Sequence, residues 1–87
     1  MVDETGKLIA AREKTHGYWR AQATLAQSLK NELGVFYTVA LTDAHREALE
    51  MICVKMSRIV CGDPNEPDHW DDIAGYAHLG KIGNDSV

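Results

Sequence analysis

The sequence predicts an all-α domain of three main helices preceded by a short helix or arm. Three observations predict it. From Tyr18 to Leu33 and from Asp43 to Cys61, apolar residues recur every three or four positions, the period of one helix face. Helix punctuation brackets the segments, with Thr42 before one, Pro67 and Asp68 opening another, and Gly34 and Gly62 closing two. The β-branched apolar run Val35 to Leu41 is short, isolated and without a second strand to pair with.

Taken in order, Asp3 to Lys14 is mixed polar with Leu8, Ile9 and Ala11 as its only anchors, consistent with a short helix or an ordered arm. Lys14-Thr15-His16-Gly17 breaks the pattern. In the next segment Tyr18, Gln22, Leu25, Ala26, Leu29 and Leu33 share one face, Trp19 borders it, and Gly34 is a natural stop. Gln22 sits inside the apolar arc, where a primary amide needs partners or costs roughly 1–3 kcal/mol, so it is either a satisfied core amide or a ligand contact. Val35 to Leu41 reads as an extended connector whose Phe36, Val39 and Leu41 plug the core.

Thr42 caps the helix that runs to Cys61 and ends at Gly62. Its apolar side is Ala48, Leu49, Ile52, Met56, Ile59 and Val60; its surface side is Arg46, Glu50 and Ser57. Lys55 and Arg58 do not fit that division and border a buried seam. After a turn-rich loop, Asp68 caps the last helix, Asp68 to Leu79, on which Trp70, Ile73 and Ala77 form an apolar stripe beside a polar one of His69, Asp72 and Tyr76.

Eighty-seven residues make one domain, with a core over 12–80 and 81–87 as a flexible tail. A chain this small gains core by self-association, so a homo-oligomer formed partly by the first long helix is expected. Hydrophobic content of 45% with 25% charged residues belongs to a folded chain. A net charge of −4 argues against general nucleic-acid binding, which needs clustered Lys and Arg, but leaves room for a compact anion held by a few local cations. No apolar run approaches ~18 residues and no leader pattern is present, so no membrane role is expected and the location is cytoplasmic. Cys53 and Cys61 lie on one helix about 12 Å apart at the helical rise, beyond the roughly 7 Å a disulfide spans; they read as free thiols.

Three constellations bear chemistry. Lys55 and Arg58, with His69, Asp72 and Tyr76, meet at the rim of the seam between the last two helices. They form either an inter-helix ion pair to Asp72 or a phosphate contact, with Trp19, Trp70 or Tyr76 stacking on a base. Glu47 and Glu50, with Asp68 and Asp71, are carboxylate pairs at i,i+3 on neighbouring helices, the arrangement that holds Mg²⁺ against a polyphosphate or, equally, an ordinary solvated acidic face. This second set loosely resembles the motifs of the MazG-like all-α nucleotide pyrophosphohydrolases. Thr15-His16-Gly17 is a polar break whose backbone N–H groups suit an anion. His45 and His78 take no role, and no histidine pair has the i,i+4 spacing of a zinc site.

Arg12-Glu13-Lys14-Thr15-His16-Gly17, Ala23 to Lys30, Glu47-Ala48-Leu49-Glu50-Met51-Ile52 with Lys55, Arg58 and Ile59, and Asp68 through Ala77 together resemble a family of small uncharacterised phage and prophage proteins. The resemblance covers Arg12 to Leu79 and departs at Trp19, where that family leads one to expect Phe. It implies an origin, a host-cell cytoplasm during infection, and no settled activity. The expected function is a binder of a nucleotide-like small molecule, a sponge for a host defence signal, through His16, Gly17, Trp19, Gln22, Lys55, Arg58, His69, Trp70, Asp72 and Tyr76, with no cofactor. The alternatives are a Mg²⁺-dependent pyrophosphohydrolase using Glu47, Glu50, Asp68 and Asp71, and an interaction module without a ligand.

Overall fold

The computed structural model describes residues 4–83. They form four helices, α1 (Glu4–His16), α2 (Trp19–Val35), α3 (Asp43–Cys61) and α4 (Pro67–Ile82), with no strand among the described residues. The arm is thus a full helix of 13 residues.

Local chemistry explains most of the boundaries. The Thr42 hydroxyl accepts from the His45 N–H at 3.2 Å, and the His45 ring accepts from the Thr42 N–H at 3.4 Å, so two otherwise orphan donors at the start of α3 are satisfied reciprocally. α3 stops at Gly62, whose N–H still donates to the Arg58 carbonyl at 2.9 Å. Other boundaries differ from expectation. Glu66, not Asp68, occupies the cap of α4, because Pro67 takes the first helical position with its preset φ and moves Asp68 into the first turn. α2 passes through Gly34 to Val35 before Phe36 closes it with an N–H donated to the Leu33 carbonyl at 3.1 Å.

α3 is the axial element: it packs against α1, α2 and α4, while α2 and α4 do not approach one another. Among the described residues the buried apolar ones are Ala26, Ala48 and Cys53, and the buried polar ones are Gln22, Lys55, Ser57 and His69. Ser57, expected at the surface, is fully buried, its hydroxyl donating to the Val54 carbonyl at 2.7 Å. Leu8 and Ile9 are exposed on α1; so are Phe36 and Val39, which therefore do not plug the core. Trp70, Leu49, Met56 and Val60 also lie at least partly in solvent. The cause is architectural. With α2 and α4 on separate flanks of α3, one sector of α3 meets no helix, although its residues keep the apolar period. α4 continues past Leu79 through Lys81 and Ile82, where a flexible tail was expected; 84–87 lie outside the described residues.

The α1–α2 junction crosses the end of α3 at backbone distance. Gly17 has φ +80°. A Cβ there would lie 2.2 Å from the Cys61 carbonyl oxygen, and one on Gly62 would lie 2.2 Å from that of Thr15. The Thr15 carbonyl accepts twice, from the Asp63 N–H at 2.9 Å and from His69 Nε2 at 2.7 Å. Since a carbonyl can only accept, Nε2 of His69 carries the proton. One main-chain oxygen thus ties α1, the α3–α4 loop and α4 together.

Candidate functional site

A cavity of about 340 Å³ opens beside this crossing, between α1, the start of α2 and the end of α3. Gly17 turns the chain there, which brings His16, at the end of α1, next to Trp19 and Gln22 in the first turns of α2. Arg58 reaches the cavity from α3, and Arg12 lies one turn before His16 on the same face of α1. Ile9 and Glu13 complete the lining. The volume lies within the range of small-molecule pockets, ~300–1,000 Å³.

Its polar groups are held in a chain. Arg58 Nε–H donates to Gln22 Oε1 at 3.1 Å, and the Gln22 amide nitrogen donates to the Gly17 carbonyl at 3.4 Å. The buried amide is therefore both satisfied and a lining residue. Fixing Nε orients the plane of the guanidinium, whose terminal nitrogens make no hydrogen bond or ion pair among the described residues, and Arg58 lines the cavity. Trp19 is 71% exposed at the rim, its ring available to a planar ligand.

His16 lies with its ring centroid 5.0 Å from that of His69. Burial pushes its pKa below the ordinary 6.5, and the positive charge of Arg58, with His69, Lys55 and Arg12, adds to the depression. At neutral pH it stands as an uncharged imidazole in a positive environment. In a chain of net charge −4, two guanidiniums and this imidazole face a single lining carboxylate, that of Glu13.

The other expected site residues are placed differently. Lys55 Nζ lies 2.9 Å from Asp72 Oδ2, an ion pair between α3 and α4. Its hydrogen bond to Lys55 is the main cause that lowers the Asp72 pKa below 3.8. Lys55 is buried, and a buried ammonium is tolerable because that carboxylate meets it. His69 is buried beneath His16 and bound to Thr15. Trp70 donates its indole N–H to the Pro64 carbonyl at 2.8 Å, outside the cavity. Tyr76 lines a second, apolar concavity between α3 and α4. Among the described residues no group of three or more His, Cys, Asp or Glu is arranged to hold a metal ion, so Glu47, Glu50, Asp68 and Asp71 do not converge as a set. Both cysteines are free, and no described helix is long and apolar enough to cross a membrane.

His16, Gly17, Trp19, Gln22 and Arg58 thus meet at one cavity, while Lys55, Asp72 and His69 brace the helices behind it and Trp70 and Tyr76 stand apart. Arg12, Glu13 and Ile9 were missed by the sequence reading. The signal for Arg12 was its i,i+4 spacing to His16, legible only once the N-terminal segment is known to be a helix. The model of an uncharacterised family, described as a domain of unknown function (DUF6378), matches residues 1–82. No curated protein and no solved structure matches the chain.

Proposed function

We propose that this chain, which belongs to the DUF6378 family, binds a nucleotide-like anion in the cavity between α1, α2 and α3 without transforming it. One observation carries the reading: Arg12, Arg58 and His16 surround a cavity with an exposed Trp19 at its rim, and Gln22 fixes the Arg58 guanidinium in advance. A guanidinium fork matches two phosphate oxygens at once, and its prior orientation lowers the entropy lost on binding. Trp19 supplies a face on which a base stacks, a contact worth ~1–3 kcal/mol. Lys55 supports the site from behind, with its charge already spent on Asp72.

In the phage setting implied by the sequence resemblance, such a binder withholds a nucleotide signal from the host. Calorimetric titration with ADP and with inorganic pyrophosphate tests the binding. Both should bind, and Arg58→Lys should weaken both by roughly tenfold or more, as loss of a charge-assisted bidentate contact requires. Absence of binding by either probe, or an Arg58→Lys variant of unchanged affinity, overturns the assignment. Release of pyrophosphate from a nucleoside triphosphate in Mg²⁺ would replace binding by hydrolysis.

A further inference from the structure

A second surface is unlike the first. On α3, Leu49, Ile52, Met56 and Val60 follow at three- and four-residue steps along the sector that neither α2 nor α4 covers. Val60 is 73% exposed and Met56 38%. On the adjoining side of α4, Trp70, Ala74 and Ala77 continue the same face. Between the two helices lies an open concavity of about 360 Å³ lined by Leu41, Leu49, Ile52 and Tyr76 among others, with almost wholly apolar walls.

Three facts say what covers this face. The chain exposes 6459 Å², whereas a compact monomer of this mass exposes only ~5,100 Å². The excess, roughly 1,400 Å² summed over the whole elongated chain, leaves room for the ~800 Å² each partner contributes to a standard stable interface. Small domains with so little buried apolar surface are otherwise stapled by disulfides or a structural metal. Both cysteines here are free, and no metal-holding group is found among the described residues. With neither staple among the described residues, a partner surface is the remaining source of further buried apolar area. Charge completes the argument: the chain carries −4, yet Leu49, Ile52, Met56, Val60, Trp70, Ala74 and Ala77 carry none. A two-fold axis sets a patch against itself, so charges within it would be opposed by their like, and this patch has none to oppose.

We propose that the apolar face of the α3–α4 hairpin is the interface of a two-fold homodimer, in which side chains of each copy fill the concavity of the other. The middle of the exposed side of α2, expected to contribute to association, carries Thr24, Gln27, Ser28, Asn31 and Glu32, with exposed Trp19 and Val35 only at its two ends, so this interface leaves α2 outside it.

Light scattering on the eluting full chain at about 100 µM decides the matter. The expected mass is twice the 9.6 kDa chain. Met56→Glu places a carboxylate on the face at a partly exposed site, and should halve that mass while the helical circular dichroism persists. If Met56→Glu fails to fold, Val60→Glu at the more exposed position takes its place with the same expectation. Val35→Glu, equally exposed but on α2, should leave the dimer intact. A wild-type mass of one chain overturns the proposal and leaves the face to a different protein. A mass above two chains, a folded face variant that keeps the dimer mass, or dissociation by Val35→Glu overturns it as well.

Discussion

Replacing Gly17 by alanine should be among the most damaging single-methyl additions the chain can suffer. The new Cβ would stand 2.2 Å from the Cys61 carbonyl oxygen, 2.6 Å from its carbon and 2.9 Å from Cys61 Cβ. Two of those atoms are main chain at the end of α3, so no flexible side-chain tip can swing away. Alanine at φ +80° adds a conformational cost of ~1–2 kcal/mol, and overpacking against the backbone adds ~1–3 kcal/mol. Together these give roughly 2–5 kcal/mol, which for a domain this size lowers Tm by about 10 °C or more. The assay is thermal unfolding by circular dichroism at one fixed protein concentration, with Gly75→Ala as the control. Nothing lies within 4 Å of a Cβ on Gly75, and it sits inside α4. There the same added methyl should stabilise by ~0.5–1 kcal/mol. A Gly17→Ala Tm within 2 °C or so of wild type would refute the close crossing, and equal signs for the two substitutions would refute the reasoning behind it.

Asp72→Asn should lower Tm, and by less in a Lys55→Met background than in the native one, since a pair in contact is non-additive; equal losses in both backgrounds count against the ion pair. The depressed pKa of Asp72 makes its contribution complete above the ordinary carboxylate value of 3.8 and lost as pH falls through and below it, which acid titration of Tm against Asp72→Asn will read. His16 has the same sign in a higher window. Its folded pKa lies below 6.5, so the unfolded chain binds the proton first and stability declines as pH falls below 6.5, a slope that His16→Gln should flatten. An anion in the cavity favours the imidazolium, so on going from pH 7.5 to pH 5.5 the native chain should gain affinity for pyrophosphate relative to His16→Gln, and identical pH profiles for the two would remove His16 from the site. Trp19→Ala should weaken ADP while sparing pyrophosphate; equal losses would deny the stacking role.

The fold was legible where side-chain chemistry is local. Thr42 and Gly62 bound α3 at the expected residues because a cap and a terminator act within one turn. Tertiary neighbours decided the rest. Ser57 reads as a surface residue, but its side chain is small and its hydroxyl is satisfied within α3 by the Val54 carbonyl, so it can be buried without leaving a polar group unpaired. Val60 and Met56 read as core because the helical period marks an apolar face without saying whether this chain or another covers it. The site was half legible for the same reason. His16, Gly17 and Gln22 announce themselves by breaking a pattern, whereas Lys55 and Arg58 look equivalent in sequence until the structure gives one an aspartate and the other a glutamine.

The double acceptance by the Thr15 carbonyl has a bearing on how this chain is read by mutagenesis. The atom on which α1, the α3–α4 loop and α4 converge belongs to the main chain, and no codon change deletes it. Exchanging the Thr15 side chain, whose hydroxyl makes only a 3.3 Å bond back to the Arg12 carbonyl, should leave the junction standing. A saturation screen would thus score position 15 as tolerant while flagging its silent neighbours Gly17, Gly62 and His69 as intolerant, and a map drawn from side-chain phenotypes alone would show a ring of sensitive positions around an unmarked centre.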